Sequence, residues 1–221
     1  MKRVIAVICA AVTLGLGALW FTGTSSTPPN PLVGAANAQQ AADIDISTIT
    51  EMVQGDENAP VTVIEYASYT CPHCASFHAG PYKQLKADYI DTGKVRFVYR
   101  EVYFDRFGLW ASMIARCAGP DRFFGVSDLL YSGQQTWARA GDPNQIVEEL
   151  RKIGRLAGVS DDELNACLQD ADKAQTLVAW YQANAEADDI TSTPTFIIDG
   201  TKYSNLSYDD MSARIETALG N

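Results

Sequence analysis

Apolar and polar positions change rhythm several times along the chain. An uncharged apolar run from Val4 to Phe21 follows Lys2 and Arg3, and a Thr/Ser/Pro-rich stretch, Thr22 to Pro31, comes after it. Residues 39–58 are polar with scattered Ile44, Ile46, Ile49, Met52 and Val53, and read as a lead-in arm. The turn Gly55-Asp56-Glu57-Asn58-Ala59-Pro60 then launches an apolar strand, Val61 to Tyr66. A helix-like stretch, Ala75 to Ile90, is followed by a turn at Asp91-Thr92-Gly93 and an alternating strand from Lys94 to Val102.

For roughly the next eighty residues the period is helical. Trp110, Met113, Ile114 and Cys117 recur at i, i+3, i+4 and i+7, the stripe of an amphipathic helix. Asp121 to Tyr131 is a second, aromatic-rich run. Asp142 as N-cap with Pro143 at N1 opens a helix through Ile146, Leu150 and Ile153. Ser160-Asp161-Asp162-Glu163 is a capping box ahead of Leu164, Cys167 and Leu168, and Lys173 to Ala187 is a further helix. The aromatic and Met residues here are assigned to core. Strand rhythm returns at Thr193 to Ile198, with Asp199-Gly200 as a hairpin turn into Thr201-Lys202-Tyr203, and Ser207 caps a last helix, Tyr208 to Leu219.

The chemistry concentrates at Tyr69-Thr70-Cys71-Pro72-His73-Cys74, where the first strand gives way to a helix. A strand followed at once by Cys-x-x-Cys is the layout of a thioredoxin-like redox site. Cys71 falls at the helix N-terminus, where unpaired N–H groups and the dipole favour a thiolate. Cys74, one turn in, is the resolving thiol. Pro72 suits the first turn because its missing N–H is not needed there. His73 offers a second donor or positive charge beside the sulfur. Neither common rival fits. Structural zinc needs four ligands, and no second Cys-x-x-Cys or His pair is suitably spaced. Covalent haem attachment needs His after the second cysteine, where Ala75 stands. No metal or cofactor is expected.

With 221 residues and 47% hydrophobic content the chain can bury a core, and its net charge of −10 argues against nucleic acid or anionic lipid as partner. The N-terminal order of positive, apolar and polar segments is that of an export signal, with Ala36-Asn37-Ala38 as a cleavage site. An uncleaved membrane anchor and linker is the alternative. In both cases the remainder reaches a compartment where disulfides persist. Cys9 lies inside the apolar run, without a lipobox-like small residue before it (Ile8). Four cysteines remain, so with Cys71 and Cys74 as the redox pair, Cys117 and Cys167 should form a structural disulfide, the alternative being two buried free thiols. Glu65, six residues before Cys71, is either a buried carboxylate placed to take the Cys74 proton or a solvent-facing strand residue. Thr193-Pro194 is an ordinary strand start or a cis peptide whose neighbouring backbone pairs with an extended substrate beside Cys71; the second is preferred in this setting.

Taken in order, these elements resemble a DsbA-type thiol:disulfide oxidoreductase over Ala59 to Leu219. The resemblance rests on Cys71-Pro72-His73-Cys74, Glu65 beneath it and Thr193-Pro194. It implies an α/β thioredoxin fold, a central mixed sheet flanked by helices, with an inserted all-helical domain. The expected division is 1–38 signal or anchor, 39–58 arm, 59–104 with 188–221 thioredoxin-like domain, and 105–187 helical insertion. It also implies oxidation of cysteine pairs in exported proteins, Cys71 forming the mixed disulfide, and recharging by a membrane partner of the DsbB type. The expected location is periplasmic, free or tethered by the N-terminus. Thr193 departs from the strongly oxidising members, in which valine is usual before the cis proline. A reductase or isomerase held reduced by a membrane electron donor is therefore the alternative within the class. A non-catalytic chaperone or metal-carrying module is the alternative outside it.

Overall fold

The computed structural model describes residues 44–221, so the export signal or anchor and Cys9 lie outside the described residues. Five strands form one sheet: β1 (Met52–Gln54), β2 (Val61–Ala67), β3 (Val95–Glu101), β4 (Thr195–Ile198) and β5 (Thr201–Ser204), in spatial order β1-β3-β2-β4-β5. β2 and β3 are parallel and every other pairing is antiparallel, so the sheet is mixed. β2 lies at the centre, and along it Val61, Val63, Glu65, Tyr66 and Ala67 are buried. This explains its near-continuous apolar character, since a strand covered on both faces does not alternate strictly.

The β2–β3 crossover carries α1 (Pro72–Ala79) and α2 (Pro81–Leu85), which ends in a wide π turn, Lys86–Ile90. A single helical stretch to Ile90 was expected, and the structure breaks it at Gly80, whose backbone leaves the helical region (φ −137°, ψ −74°). The residue before proline is pushed out of the α region, and Pro81 restarts the helix at N1. The lead-in arm likewise holds more structure than its polarity suggests. Ile49 and Met52 are buried, and Met52–Gln54 pairs with β3. The turn after β1 requires Gly55, which has φ +91° and whose missing Cβ would meet the Val95 carbonyl at 2.4 Å.

Between β3 and β4 run α3 (Arg106–Cys117), α4 (Pro120–Ser132), α5 (Gln134–Trp137), α6 (Pro143–Leu156), α7 (Asp161–Gln169) and α8 (Ala171–Ala187). Asp142 caps α6 through the Asn144 and Gln145 N–H groups, and Ser160 with Glu163 forms a complete capping box on α7. Ile146, Leu150 and Ile153 are buried, as their spacing requires. The short α5 was not foreseen, because four residues carry too little periodicity to read. Asp199 and Gly200, both at positive φ, turn β4 into β5, and Ser207 caps α9 (Tyr208–Ala218), which packs on α2 and β4. Cys117 at the end of α3 is bonded to Cys167 in α7, with Cα atoms 6.0 Å apart.

Candidate active site

β2 runs into a tight turn in which the Cys71 N–H donates to the Ser68 carbonyl at 3.0 Å. Cys71 is the N-cap of α1, in extended conformation, with Pro72 at N1. Its carbonyl accepts the Ala75 N–H at 3.1 Å, and its Sγ accepts the Cys74 N–H at 3.5 Å. Both cysteines are free thiols. They differ in environment: Cys71 is 8% exposed and Cys74 wholly buried.

That difference separates their acidities. The hydrogen bond from the Cys74 thiol does most to bring Cys71 down from 9.0 to about 5. Burial opposes it, while the Thr193 side chain and the backbone N–H groups of Cys74 and His73 assist. These amides belong to the first helical turn, where N–H groups have no intrahelical acceptor. Burial, above all, pushes the Cys74 thiol far up, followed by its donation to Cys71 and by the Glu65 carboxylate. One thiol is thus a ready thiolate at neutral pH and the other holds its proton.

The Thr193–Pro194 peptide is cis, and the Thr193 carbonyl accepts from the Cys71 thiol at 3.5 Å. Thr193 Oγ1 is buried with no partner at hydrogen-bond geometry, so its influence on the sulfur is that of a nearby dipole. The His73 side chain is exposed, and the backbone N–H rather than the ring is its donor toward Cys71. Glu65 is completely buried, which excludes the solvent-facing alternative. Its two oxygens lie 3.2 and 2.9 Å from His78 Nε2, a hydrogen-bond partner that the reading of the sequence missed. The signal was available: His78 follows Cys74 at i+4, hence on the same helix face.

The helices between β3 and β4 hold the turn before Cys71 in place. Buried Gln134 of α5 donates through Nε2 to the carbonyls of Tyr69 (2.8 Å) and Cys71 (2.9 Å). Tyr69 Oη and Ser127 Oγ of α4 are 2.7 Å apart. Thr70 Oγ1 donates to Asp105 Oδ2, whose other oxygen caps α3. Of these partners none was singled out from sequence. Gln134 in particular lies sixty-three residues from Cys71 with no motif around it.

The family model described as thioredoxin matches residues 47–217. The chain belongs to the thioredoxin family. Within that family its similarity is to proteins of the DsbA type. A Rickettsia bellii protein with the provisional name protein-disulfide oxidoreductase is 36% identical over 170 residues, 76% of this chain and 64% of that protein. A Rickettsia felis protein of the same name is 34% identical over 204 residues, covering 90% of this chain and 70% of that one. The chain therefore spans less than two thirds of the length of the first of these relatives. Among solved structures, alpha-DsbA1 of Wolbachia pipientis superimposes with a TM-score of 0.70 at 26% identity, over 77% of this chain and 92% of that one. The thioredoxin fold with helices inserted between β3 and β4 agrees with these likenesses. Among the described residues no helix is long and apolar enough to cross a membrane.

Proposed function

We propose that this chain is an exported thiol:disulfide oxidoreductase that donates the Cys71–Cys74 disulfide to cysteine pairs of other exported proteins. The observation that carries the reading is the asymmetry of the two thiols, one held near 5 and one pushed far up, at a helix N-terminus facing a cis Thr193–Pro194 peptide. A substrate thiolate attacks Cys71 Sγ, the Cys71–Cys74 bond breaks, and Cys74 leaves. The substrate's second thiolate then attacks the mixed disulfide and frees Cys71 as a thiolate. A low-pKa leaving group speeds that last step, and stabilisation of the reduced form drives it. The Thr193 carbonyl lies beside the sulfur, engaged only by the long 3.5 Å contact from the Cys71 thiol, where an extended substrate backbone can pair with it. The names of the Rickettsia relatives support the reaction class, and the export-type N-terminus supports a periplasmic location. Recharging falls to a membrane oxidant of the DsbB type.

The test uses the oxidised protein and a reduced peptide containing two cysteines. One equivalent of peptide disulfide should form per protein, Cys71→Ser should form none, and reduced Cys74→Ser mixed with the oxidised peptide should accumulate the mixed disulfide at Cys71. A Cys71→Ser variant that still oxidises the peptide would refute the assignment.

A further inference from the structure

The end of α8 runs against the usual chemistry of a helix terminus. A helix C-terminus carries partial negative charge and favours glycine or a basic residue. Here Asp188 is the C-cap, and Asp189 follows at φ +49°, a left-handed conformation that glycine adopts at less cost. Two cations reach over from the sheet to offset the two carboxylates. Lys202 of β5 donates to the Asp189 carbonyl at 2.6 Å and to its Oδ2 at 2.8 Å. Arg100 of β3 donates through Nη1 to Asp188 Oδ2 at 3.1 Å and to Tyr66 Oη at 2.7 Å. Tyr66, paired with Arg100 across the β2–β3 ladder, donates its own proton to the same Asp188 oxygen. Burial, and then that bond, push the phenol up, so it stays a donor. The other side of the guanidinium, Nε and Nη2, is taken by Glu51 Oε1 of the lead-in arm at 2.8 and 2.6 Å. One planar group thus joins the arm, two neighbouring strands and the end of α8.

The chain beyond this latch is the part that meets Cys71. Residues 189–193 lead from Asp188 to the cis Thr193–Pro194 peptide, and they are held short. The Ile190 N–H donates back to the Ala185 carbonyl at 2.8 Å, Thr195 Oγ1 donates to the Ser192 carbonyl at 2.8 Å, and the Asn205 N–H donates to the Pro194 carbonyl at 3.0 Å. We propose that Asp188, latched by Arg100 and Tyr66, is the positioning residue that presents the Thr193 carbonyl to a substrate backbone, and that Glu51 couples the lead-in arm to this latch. This rests on the reading of Thr193 as the residue that pairs with an extended substrate. A guanidinium fork with five donors in fixed geometry can hold both carboxylates at once. Without Asp188 the segment before Thr193 loses its tie to the centre of the sheet, and the carbonyl loses its fixed direction. The strongest donor to the Cys71 sulfur is Cys74 of α1, which the latch does not touch, so the dithiol chemistry itself is left in place.

The test compares three reductants of the oxidised protein: a reduced peptide containing two cysteines, the same peptide N-methylated on the residues flanking its first cysteine, and dithiothreitol, which has no peptide backbone. Wild type should oxidise the parent peptide faster than the N-methylated one. In Asp188→Ala the second-order rate constant for the parent peptide should fall about 3- to 10-fold, the worth of one backbone hydrogen bond, while that for dithiothreitol stays within about 2-fold of wild type. The N-methylated peptide, which has no donor to lose, should react with the variant as it does with wild type. Asp188→Asn keeps an oxygen acceptor for Tyr66 and should lie between Asp188→Ala and wild type. Glu51→Ala should show a smaller loss with the same selectivity. An Asp188→Ala rate equal to wild type would overturn the proposal. So would equal slowing toward dithiothreitol and the peptides, which marks a general disturbance of the fold, or equal losses for the two peptides. A wild-type protein indifferent to N-methylation would refute pairing at Thr193 and the proposal with it. One that oxidises neither peptide nor dithiothreitol would instead refute the redox-pair reading itself.

Discussion

The lowered pKa of Cys71 makes the stability of the reduced protein depend on pH in a defined window. In the folded state the thiol titrates near 5 and in an unfolded chain near 9.0. A depressed pKa stabilises the folded state fully above the unfolded value, and the gain is lost as pH falls through the folded value. At pH 7 the thiolate has covered two of the four intervening units, each worth about 1.4 kcal/mol. The stabilisation is then about 3 kcal/mol at pH 7, an upper value because solvent screening at the sulfur reduces it, and close to zero at pH 4. Cys74 moves the other way: its raised pKa adds nothing below pH 9 and subtracts stability above it. The oxidised protein has neither thiol, so subtracting its unfolding free energy cancels the groups common to both forms. Urea unfolding of reduced and oxidised protein at pH 4, 5, 6 and 7 should show the reduced-minus-oxidised difference rising by about 3 kcal/mol across the series. A difference constant to within about 0.5 kcal/mol would refute the stabilised thiolate, whose full swing is several times larger.

Other parts of the structure yield sharp expectations. Cys117→Ala/Cys167→Ala opens a crosslink spanning 50 residues and should cost up to about 4 kcal/mol in thermal or urea unfolding, while peptide oxidation by Cys71–Cys74 persists. Gln134→Ala leaves the Tyr69 carbonyl without its donor and the Cys71 carbonyl with only the Ala75 N–H, and should cost about 1 to 3 kcal/mol, with faster amide exchange in the turn before α1. Arg116→Leu strands buried Glu101, now bonded by the guanidinium at 2.6 and 2.7 Å, and should destabilise by about 3 to 5 kcal/mol. Glu101→Gln/Arg116→Leu together should recover part of that loss in the same unfolding assay.

What could be read from the sequence was what short-range chemistry determines. Cys71 and Pro72 announce a helix start because capping is a matter of adjacent residues, and Asp142, Ser160 and Ser207 did the same for α6, α7 and α9. Asp199-Gly200 marked its hairpin because few residues tolerate positive φ in succession. The contacts that hold the site were of another kind. Gln134, Ser127 and Asp105 each reach the turn from a separate helix, and no local pattern distinguishes a glutamine that caps two distant carbonyls from one in water. Glu101 and Arg116 pair across fifteen residues between a strand and a helix, which periodicity alone does not link. β1 escaped notice because three residues at a sheet edge are too short to alternate visibly. His78 is the exception, since its i+4 spacing from Cys74 was legible and was passed over in favour of the more conspicuous His73.

The central claim is that this pair is poised to give up its disulfide, and the equilibrium reduction potential of Cys71–Cys74 in glutathione buffers tests it most directly, with Cys117→Ala/Cys167→Ala as control. Stabilisation of the thiolate by about 3 kcal/mol at pH 7 corresponds to roughly 60 mV for a two-electron couple. The account predicts a potential at least about 60 mV above that of thioredoxin, so more oxidising than about −210 mV, unchanged in the control. A value near about −270 mV, where thioredoxin lies, would contradict it and make the chain a reductant, with Thr193 as the residue that signalled so.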